Sequence, residues 1–342
     1  MKALIYEGPK QMNLREADIP VPAEDEVLIK VRYSGICGSE LSGYLGHNSL
    51  RKPPLIFGHE FSGTIVQLGD RVAVEFPALL EGARVTANPL ITCGKCPDCL
   101  RGKQQICAHR QLISAALPGS NAEYVKLPAR SVVPLDDRLT FEQGAFIEPL
   151  ACGVRVAEVA EVKPGQRVLI VGMGPIGLFS LQAIQAFGVK EIYVTDRNLS
   201  RLEMAAELGA IPLNPNEVNV KEEILRATGG AGVEVAVDAV GAGATRLLAI
   251  DCARNGGKVI FTGLHEADSE LPVNQMIRKE ISCSGAFAYS AANFQTAAQW
   301  MANGWIRMDE DWVVKAPFQT AQVWYEKLLS DPGKVAKVLL HP

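Results

Sequence analysis

The sequence predicts an α/β chain of two domains, one β-rich and one built on a doubly wound parallel sheet. Three observations predict it. The length of 342 residues suits two domains at roughly 150 residues each. Up to about residue 135, short β-branched runs alternate with Gly and Pro, as at 27–33, 63–67 and 124–128, the texture of many short strands with turns. From about 150 onward, strand-like runs alternate with helical stretches, which implies βαβ units and a parallel sheet.

The elements follow in order. The opening MKALIYEG is too short and too quickly charged for a signal peptide and reads as a first strand. The run 168–171 reads as a short buried strand, followed by Gly-rich residues and a helix over 178–187. A strand over 191–195 and a helix over 201–208 repeat the unit, and strands at 233–237 and 258–261 extend the sheet. Beyond 286 the candidates are helices at 293–303 and 321–330 and a last strand at 335–340. No internal repeat or low-complexity segment is present.

Composition narrows the function classes. Hydrophobic residues make up 48% and charged residues 21%, ordinary for a globular chain and unlike a disordered tail, a collagen or a coiled coil. Lys+Arg minus Asp+Glu is 34 − 38 = −4, so the basic footprint of a nucleic-acid binder is lacking. No apolar run approaches the ~18 residues of a membrane span. The expectation is a cytoplasmic chain that binds small molecules and neither nucleic acid nor membrane.

Gly172-Met173-Gly174-Pro175-Ile176-Gly177 is a G-x-G-x-x-G run. It follows a strand and opens a helix, the context of a dinucleotide-binding Rossmann turn. The first Gly allows the tight turn, the second lets backbone approach a pyrophosphate, and the third lets strand and helix pack closely. Asp196 ends the second strand about twenty residues on. A carboxylate there accepts from the ribose hydroxyls and repels a 2′-phosphate, which favours NAD. Arg197 pulls the other way, because a guanidinium can pair with a phosphate. Val240 and Gly263 sit in turns after later strands. These turns either line the nicotinamide pocket or are ordinary strand-to-helix connections.

The chain has eight cysteines. Cys93, Cys96, Cys99 and Cys107 form C-x2-C-x2-C-x7-C, a spacing that lets four thiolates enclose one structural zinc. An iron–sulfur cluster and free thiols are the alternatives. A second set is dispersed: Cys37 in GICGSE, His59 and Glu60 in GHEFSG, and Glu148 in FIEPL. A thiolate, an imidazole and a carboxylate suit a catalytic zinc with an open position, but spacing alone does not assemble them. By itself Cys37 reads as a small buried hydrophobe and His59 as a satisfied core histidine. Arg51 and Lys52 read as solvated, or as a grip on a substrate phosphate. Phe287 and Tyr289 are candidates for pocket or subunit contact. Cys152 reads as core, and Cys252 and Cys283 carry no assigned role.

Taken in order, GICGSE, GHEFSG, CGKCPDC…C, FIEPL and VLIVGMGPIGL resemble the zinc-dependent medium-chain alcohol dehydrogenases over essentially the whole chain. The wording is most similar to the polyol branch, which includes sorbitol-type, threonine-type and sugar-alcohol-phosphate enzymes. The resemblance implies a GroES-like catalytic domain (1–149 and 286–342) interrupted by a Rossmann domain (150–285), with the active site in the cleft between them. It implies Cys37 and His59 as ligands of a catalytic zinc, with Glu148 or Glu60 as third ligand or support. It implies Ser39 as the residue that hydrogen-bonds the substrate hydroxyl, and Arg201 as a basic contact to the adenosine ribose. Many relatives end a proton relay at a His five residues after the zinc cysteine; here that residue is Ser42, leaving His47 or Tyr44 to serve. The implied activity is hydride transfer between NAD and a secondary alcohol, a polyol, sugar alcohol or sugar acid. The alternatives are a threonine-type or sugar-alcohol-phosphate dehydrogenase and, in another class, a non-catalytic dinucleotide-binding protein. A homodimer or homotetramer is expected.

Overall fold

A computed structural model describes all 342 residues. The chain divides into two compact units, Met1–Glu148 with Ser290–Pro342, and Pro149–Tyr289. The sequence expectation puts the boundaries at 149/150 and 285/286. Residues 286–289 fall in the second unit, where the Ala286 amide bonds the Phe261 carbonyl at 2.9 Å and Tyr289 is buried.

The first unit is built on a seven-stranded sheet. Its path runs Val132–Pro134, Arg84–Ala87, Glu60–Leu68, Glu26–Gly35, Lys337–His341, Val313–Pro317, with Tyr124–Pro128 also paired to Glu26–Gly35. The last two strands of the path come from the C-terminal segment: Leu339 and Leu340 pair antiparallel with Gly35 and Ser34. The chain end thus completes a sheet begun by its first thirty-five residues. Alternate side chains fill the core, among them Ile29, Val31, Phe61, Ile65, Val85 and Leu127, as period-two patterning requires. A second cluster joins Tyr6, Tyr44, Phe57, Phe318 and Tyr325.

The second unit carries a six-stranded parallel sheet in the order Ile211–Leu213, Glu191–Thr195, Arg167–Val171, Val233–Asp238, Ala253–Phe261, Ser282–Gly285. Val168 to Val171 are all buried, the signature of a strand covered on both faces. Strand order reverses between Arg167–Val171 and Val233–Asp238. That switch point is where open α/β sheets bind ligands.

The helices were only partly legible. Pro175–Ala186, Leu199–Glu207, Ala291–Ala302 and Ala321–Ser330 lie within a few residues of expectation. Phe141–Ala160, Val220–Ala227, Gly243–Cys252 and Val273–Lys279 were not expected. Phe141–Ala160 is the instructive case, because Gly144, Pro149 and Gly153 interrupt its pattern. Packing selects Gly153: a Cβ there would lie 2.6 Å from the Phe179 carbonyl carbon. Close approach of backbones overrides helix propensity at that position. No helix is long and apolar enough to cross a membrane.

Candidate active site and structural metal site

Strand register assembles the dispersed set. Gly35 and Glu60 are cross-strand partners. Two residues past Gly35, Cys37 stands in extended conformation at the start of helix Gly38–Tyr44. His59 stands one residue before its strand begins. Gly35 leaves room for the Glu60 carboxylate, which a Cβ there would meet at 2.4 Å. Gly58, at φ +97°, turns the chain beneath His59. The ligand atoms of Cys37, His59 and Glu60 all lie within 4.8 Å of one another. Glu148 is buried in the middle of Phe141–Ala160, and its charge reaches the Lys337 ammonium. Its carboxylate is not part of that 4.8 Å cluster.

Two residues given no role by the sequence complete this site. Glu40 is fully buried, and its Oε1 accepts from His59 Nδ1 at 2.7 Å, Ser114 Oγ at 2.8 Å and the Gly58 amide at 2.9 Å. Tyr325 donates to its other oxygen at 3.4 Å. Burial pushes the Glu40 carboxyl up, but the charge and hydrogen bond of His59, with the Arg51 charge, bring it down to about 2. Burial alone would lower the His59 pKa; Glu40 and then Cys37 hold it well above its ordinary value. Glu40 claims Nδ1, so Nε2 is the nitrogen left for a metal, the usual carboxylate–histidine support. Lys337, 2% exposed, donates to Glu60 Oε2 at 2.5 Å and to the Ile36 carbonyl at 3.3 Å. The only sequence signal for Glu40 was an acid three residues after Cys37. Lys337 had none.

Ser39 Oγ donates to Cys37 Sγ at 3.3 Å and accepts from Arg51 Nη2 at 3.0 Å. Arg51 is therefore not solvated, contrary to expectation: it is 4% exposed, while Lys52 is exposed. Tyr44 is buried and spends its hydroxyl on the Lys10 carbonyl and the Glu326 carboxylate, both at 3.2 Å. His47 is exposed, and its amide bonds the Ser42 carbonyl. The hydrogen bonds to Ser39 come instead from Arg51 and from Asn48, which reaches the Ser39 carbonyl at 3.4 Å.

The tetrad fits a single tetrahedral ion. Sulfur separations are 3.9 Å for Cys93–Cys99, 3.8 Å for Cys96–Cys107 and 3.6 Å for Cys93–Cys107. Zinc–sulfur bonds of about 2.3 Å give a tetrahedral edge of about 3.8 Å. Such separations enclose one ion and leave no room for a multi-iron cluster. The amides of Lys95 and Cys96 bring the Cys93 thiol down to about 6, and burial pushes Cys99 up to about 11. Of the remaining cysteines, burial pushes Cys252 up to about 12 and raises Cys283, which keeps both inert.

In the second unit the glycine loop meets the later turns. Gly172 has φ +94°, and a Cβ on it would lie 2.4 Å from the Val240 side chain. A Cβ on Gly177 would strike the Gly172 carbonyl at 1.9 Å, and one on Gly263 the Val240 carbonyl carbon at 2.1 Å. Gly174 caps helix Pro175–Ala186, so Pro175 and Ile176 form its first turn. Asp196 accepts from the Met173 amide at 2.7 Å and the Asn198 amide at 2.8 Å, with Arg201 Nη1 at 3.9 Å. Arg197 is exposed. Phe287 is exposed and Tyr289 buried.

Residues 23–137 match the alcohol dehydrogenase GroES-like domain, and residues 175–303 match the zinc-binding dehydrogenase family. Sorbitol dehydrogenase of Bacillus subtilis is 33% identical over all of this chain and 97% of its own length. Among solved structures, an Escherichia coli alcohol dehydrogenase crystallised with NADH superposes with a TM-score of 0.92 at 29% identity, covering 100% of this chain and 99% of that one. Galactitol-1-phosphate dehydrogenase of Escherichia coli gives 0.91 at 27% identity, covering all of both chains. With two cysteine-bearing clusters that fit zinc and a glycine loop at the sheet's switch point, the chain belongs to the zinc-dependent medium-chain alcohol dehydrogenases, in their polyol dehydrogenase branch.

Proposed function

We propose that the chain oxidises a secondary alcohol of a polyol, sugar alcohol or sugar acid, with NAD as acceptor, at the Cys37–His59–Glu60 cluster. The observation that carries this reading is the buttressed His59: Glu40 holds its Nδ1 at 2.7 Å, and the ligand atoms of His59, Cys37 and Glu60 lie within 4.8 Å of one another. A soft thiolate, an imidazole and a carboxylate fit zinc. Bound there, zinc supplies a Lewis acid for the alcohol oxygen, and the nicotinamide supplies the hydride acceptor.

The chain's own residues do the rest. Cys37 and His59 hold the metal, with Glu60 or Glu148 as third ligand, and Lys337 fixes the Glu60 carboxylate. Ser39 takes the alcohol's proton. Gly172, Gly174 and Gly177 bring backbone against the pyrophosphate, and Val240 and Gly263 flank that loop. Asp196 accepts from the ribose hydroxyls and disfavours a 2′-phosphate, with Arg201 beside it. The tetrad holds a second, structural zinc. The unpaired outer edge of Ser282–Gly285 and the exposed Val273, Ile277 and Phe287 suit a homodimer or homotetramer.

The deciding experiment is a screen of NAD reduction over polyols, sugar acids, sugar phosphates and threonine, with zinc counted on the same preparation. Two zinc per chain and turnover of a polyol or sugar acid support the reading; a zinc-free preparation at full turnover refutes it. Asp196→Ala should lose the preference for NAD, and an unchanged NAD/NADP ratio would refute the ribose assignment.

A further inference from the structure

We propose that Arg51 is a positioning residue for Ser39, holding the serine oxygen and lending it a fixed positive charge. The proposal rests on the hydride-transfer reading above. Burying a guanidinium is costly unless something compensates it, and Arg51 is 4% exposed with its Nε buried and unpaired. Its one hydrogen bond to a side chain goes to Ser39 Oγ at 3.0 Å. The buried acid Glu40 feels its charge, yet the bonds of Glu40 are taken by His59, Ser114, Gly58 and Tyr325. A guanidinium placed only to neutralise Glu40 would have bonded the carboxylate. This one bonds a neutral hydroxyl instead.

The path to that hydroxyl is built into the helix. Ser39 and Gly43 are four residues apart on Gly38–Tyr44, hence on one face. A Cβ on Gly43 would lie 2.5 Å from Arg51 Cδ and 3.3 Å from its Cβ. The arginine stem crosses the helix over the glycine, and the Phe57 ring lies 5.9 Å from the guanidinium carbon. A larger residue at 43 would close the path.

The chemistry follows from the donor inventory. A serine hydroxyl has one proton and two lone pairs, and an arginine has donors only. Arg51 occupies one lone pair, so Ser39 points its own proton elsewhere, to Cys37 Sγ in this structure. A guanidinium does not release a proton in proteins, so Arg51 cannot be the exit of a relay. In alcohol oxidation the substrate proton passes to Ser39 Oγ as the serine's own proton leaves to water, and Arg51 keeps all of its protons. Its charge stabilises negative character on the oxygens beside Ser39. The charge of Arg51 also reaches Glu40 and Tyr325, and both persist when Arg51 is replaced.

The test compares Arg51→Gln, Arg51→Lys, Ser39→Ala and the Ser39→Ala/Arg51→Gln double variant, each checked for zinc content and melting temperature. Loss of Arg51 should lower kcat about 10- to 100-fold without changing the KM for NAD, at or below the effect of losing a proton-transfer group itself. Arg51→Lys keeps the charge and should recover part of that rate. The double variant should be no slower than Ser39→Ala. An Arg51→Gln kcat within twofold of wild type, or losses that multiply in the double variant, would overturn the proposal. If Arg51→Gln does not fold, Arg51→Lys with its own Ser39→Ala double variant decides by the same criterion of multiplying or non-multiplying losses. A wild-type chain that oxidises no alcohol overturns the hydride-transfer reading and this one with it; an active wild type whose Arg51→Gln variant keeps its kcat overturns this one alone.

Discussion

The two cysteine-bearing clusters of the first unit are built by opposite means. The tetrad gathers its four ligands from Cys93 to Cys107, a single loop whose local turns set the sulfur separations. Around it Leu100 and Ile106 are exposed, 76% and 47%, so the loop buries little apolar surface of its own. The Cys37–His59–Glu60 cluster draws on two strands in the middle of a seven-stranded sheet, and the strand that begins at Glu60 sends Phe61 and Ile65 into the hydrophobic core. The tetrad makes its loop's structure; the sheet makes the dispersed cluster. Losing a ligand should therefore cost fold in one place and chemistry in the other.

The sharpest way to break that contrast is a matched pair of cysteine substitutions. Cys37→Ser should remove turnover, by at least about a thousandfold given the several kcal/mol a Lewis acid supplies, while the melting temperature stays near wild type. Cys107→Ser should do the reverse to stability, because a structural metal's binding free energy is folding free energy. Its zinc content should fall by one per chain, and the loop should become protease-sensitive. Differential scanning calorimetry and plasma-emission metal counts on both variants decide it. Equal losses of stability would show that the two clusters are not different in kind.

The same contrast explains what the sequence made legible. The tetrad could be read from spacing because all of its geometry is local. The glycine loop could be read because its three constraints, at Gly172, Gly174 and Gly177, fall within six residues. The dispersed cluster could not be read from spacing, because only the Gly35–Glu60 register brings Cys37 to His59. Resemblance supplied Cys37, His59 and the choice of glutamates, and Glu60 is the glutamate whose ligand atom lies within 4.8 Å of theirs. Glu40 was missed because an acid near a helix start reads as favourable to the helix dipole, which hides a bond to a residue nineteen positions away. Lys337 was missed because its partner Glu60 lies 277 residues back in the chain, and Arg51 was misread because charged side chains are mostly exposed. Helix Phe141–Ala160 was missed because Gly153 answers to a neighbouring backbone and not to its own helix.

A second layer of support separates the clusters further. His59 depends on a buried carboxylate, so Glu40→Gln should lower zinc affinity at the catalytic site and turnover by about 10- to 100-fold, the usual effect of losing such support. The glutamine keeps the volume and an oxygen acceptor but loses the charge. Competition with a chromogenic chelator reads the affinity directly. If Glu40→Gln left both quantities within twofold of wild type, His59 would be held by the backbone alone, and the buried hydrogen bonds of Glu40 would serve only to stabilise the loop at Gly58.

The smallest expected effect lies at the tetrad, and it is the control for the previous one. Asp98 and Arg101 form an ion pair at 2.8 Å across helix Pro97–Leu100, with the arginine side chain 68% exposed. It is the nearest counterpart of the Glu40 support, one turn from the ligands Cys96 and Cys99. An exposed pair of this kind contributes about 0–1 kcal/mol. Arg101→Ala should leave zinc content at two per chain, turnover unchanged and the melting temperature within about 4 °C, since 1 kcal/mol shifts a large domain by roughly 2–4 °C. Here the amides of the loop support the sulfurs, as the Cys99 amide does for Cys96 at 3.5 Å, and backbone donors survive any side-chain change. A large loss of zinc in Arg101→Ala would mean that the tetrad, like the catalytic cluster, leans on side chains outside its own ligands.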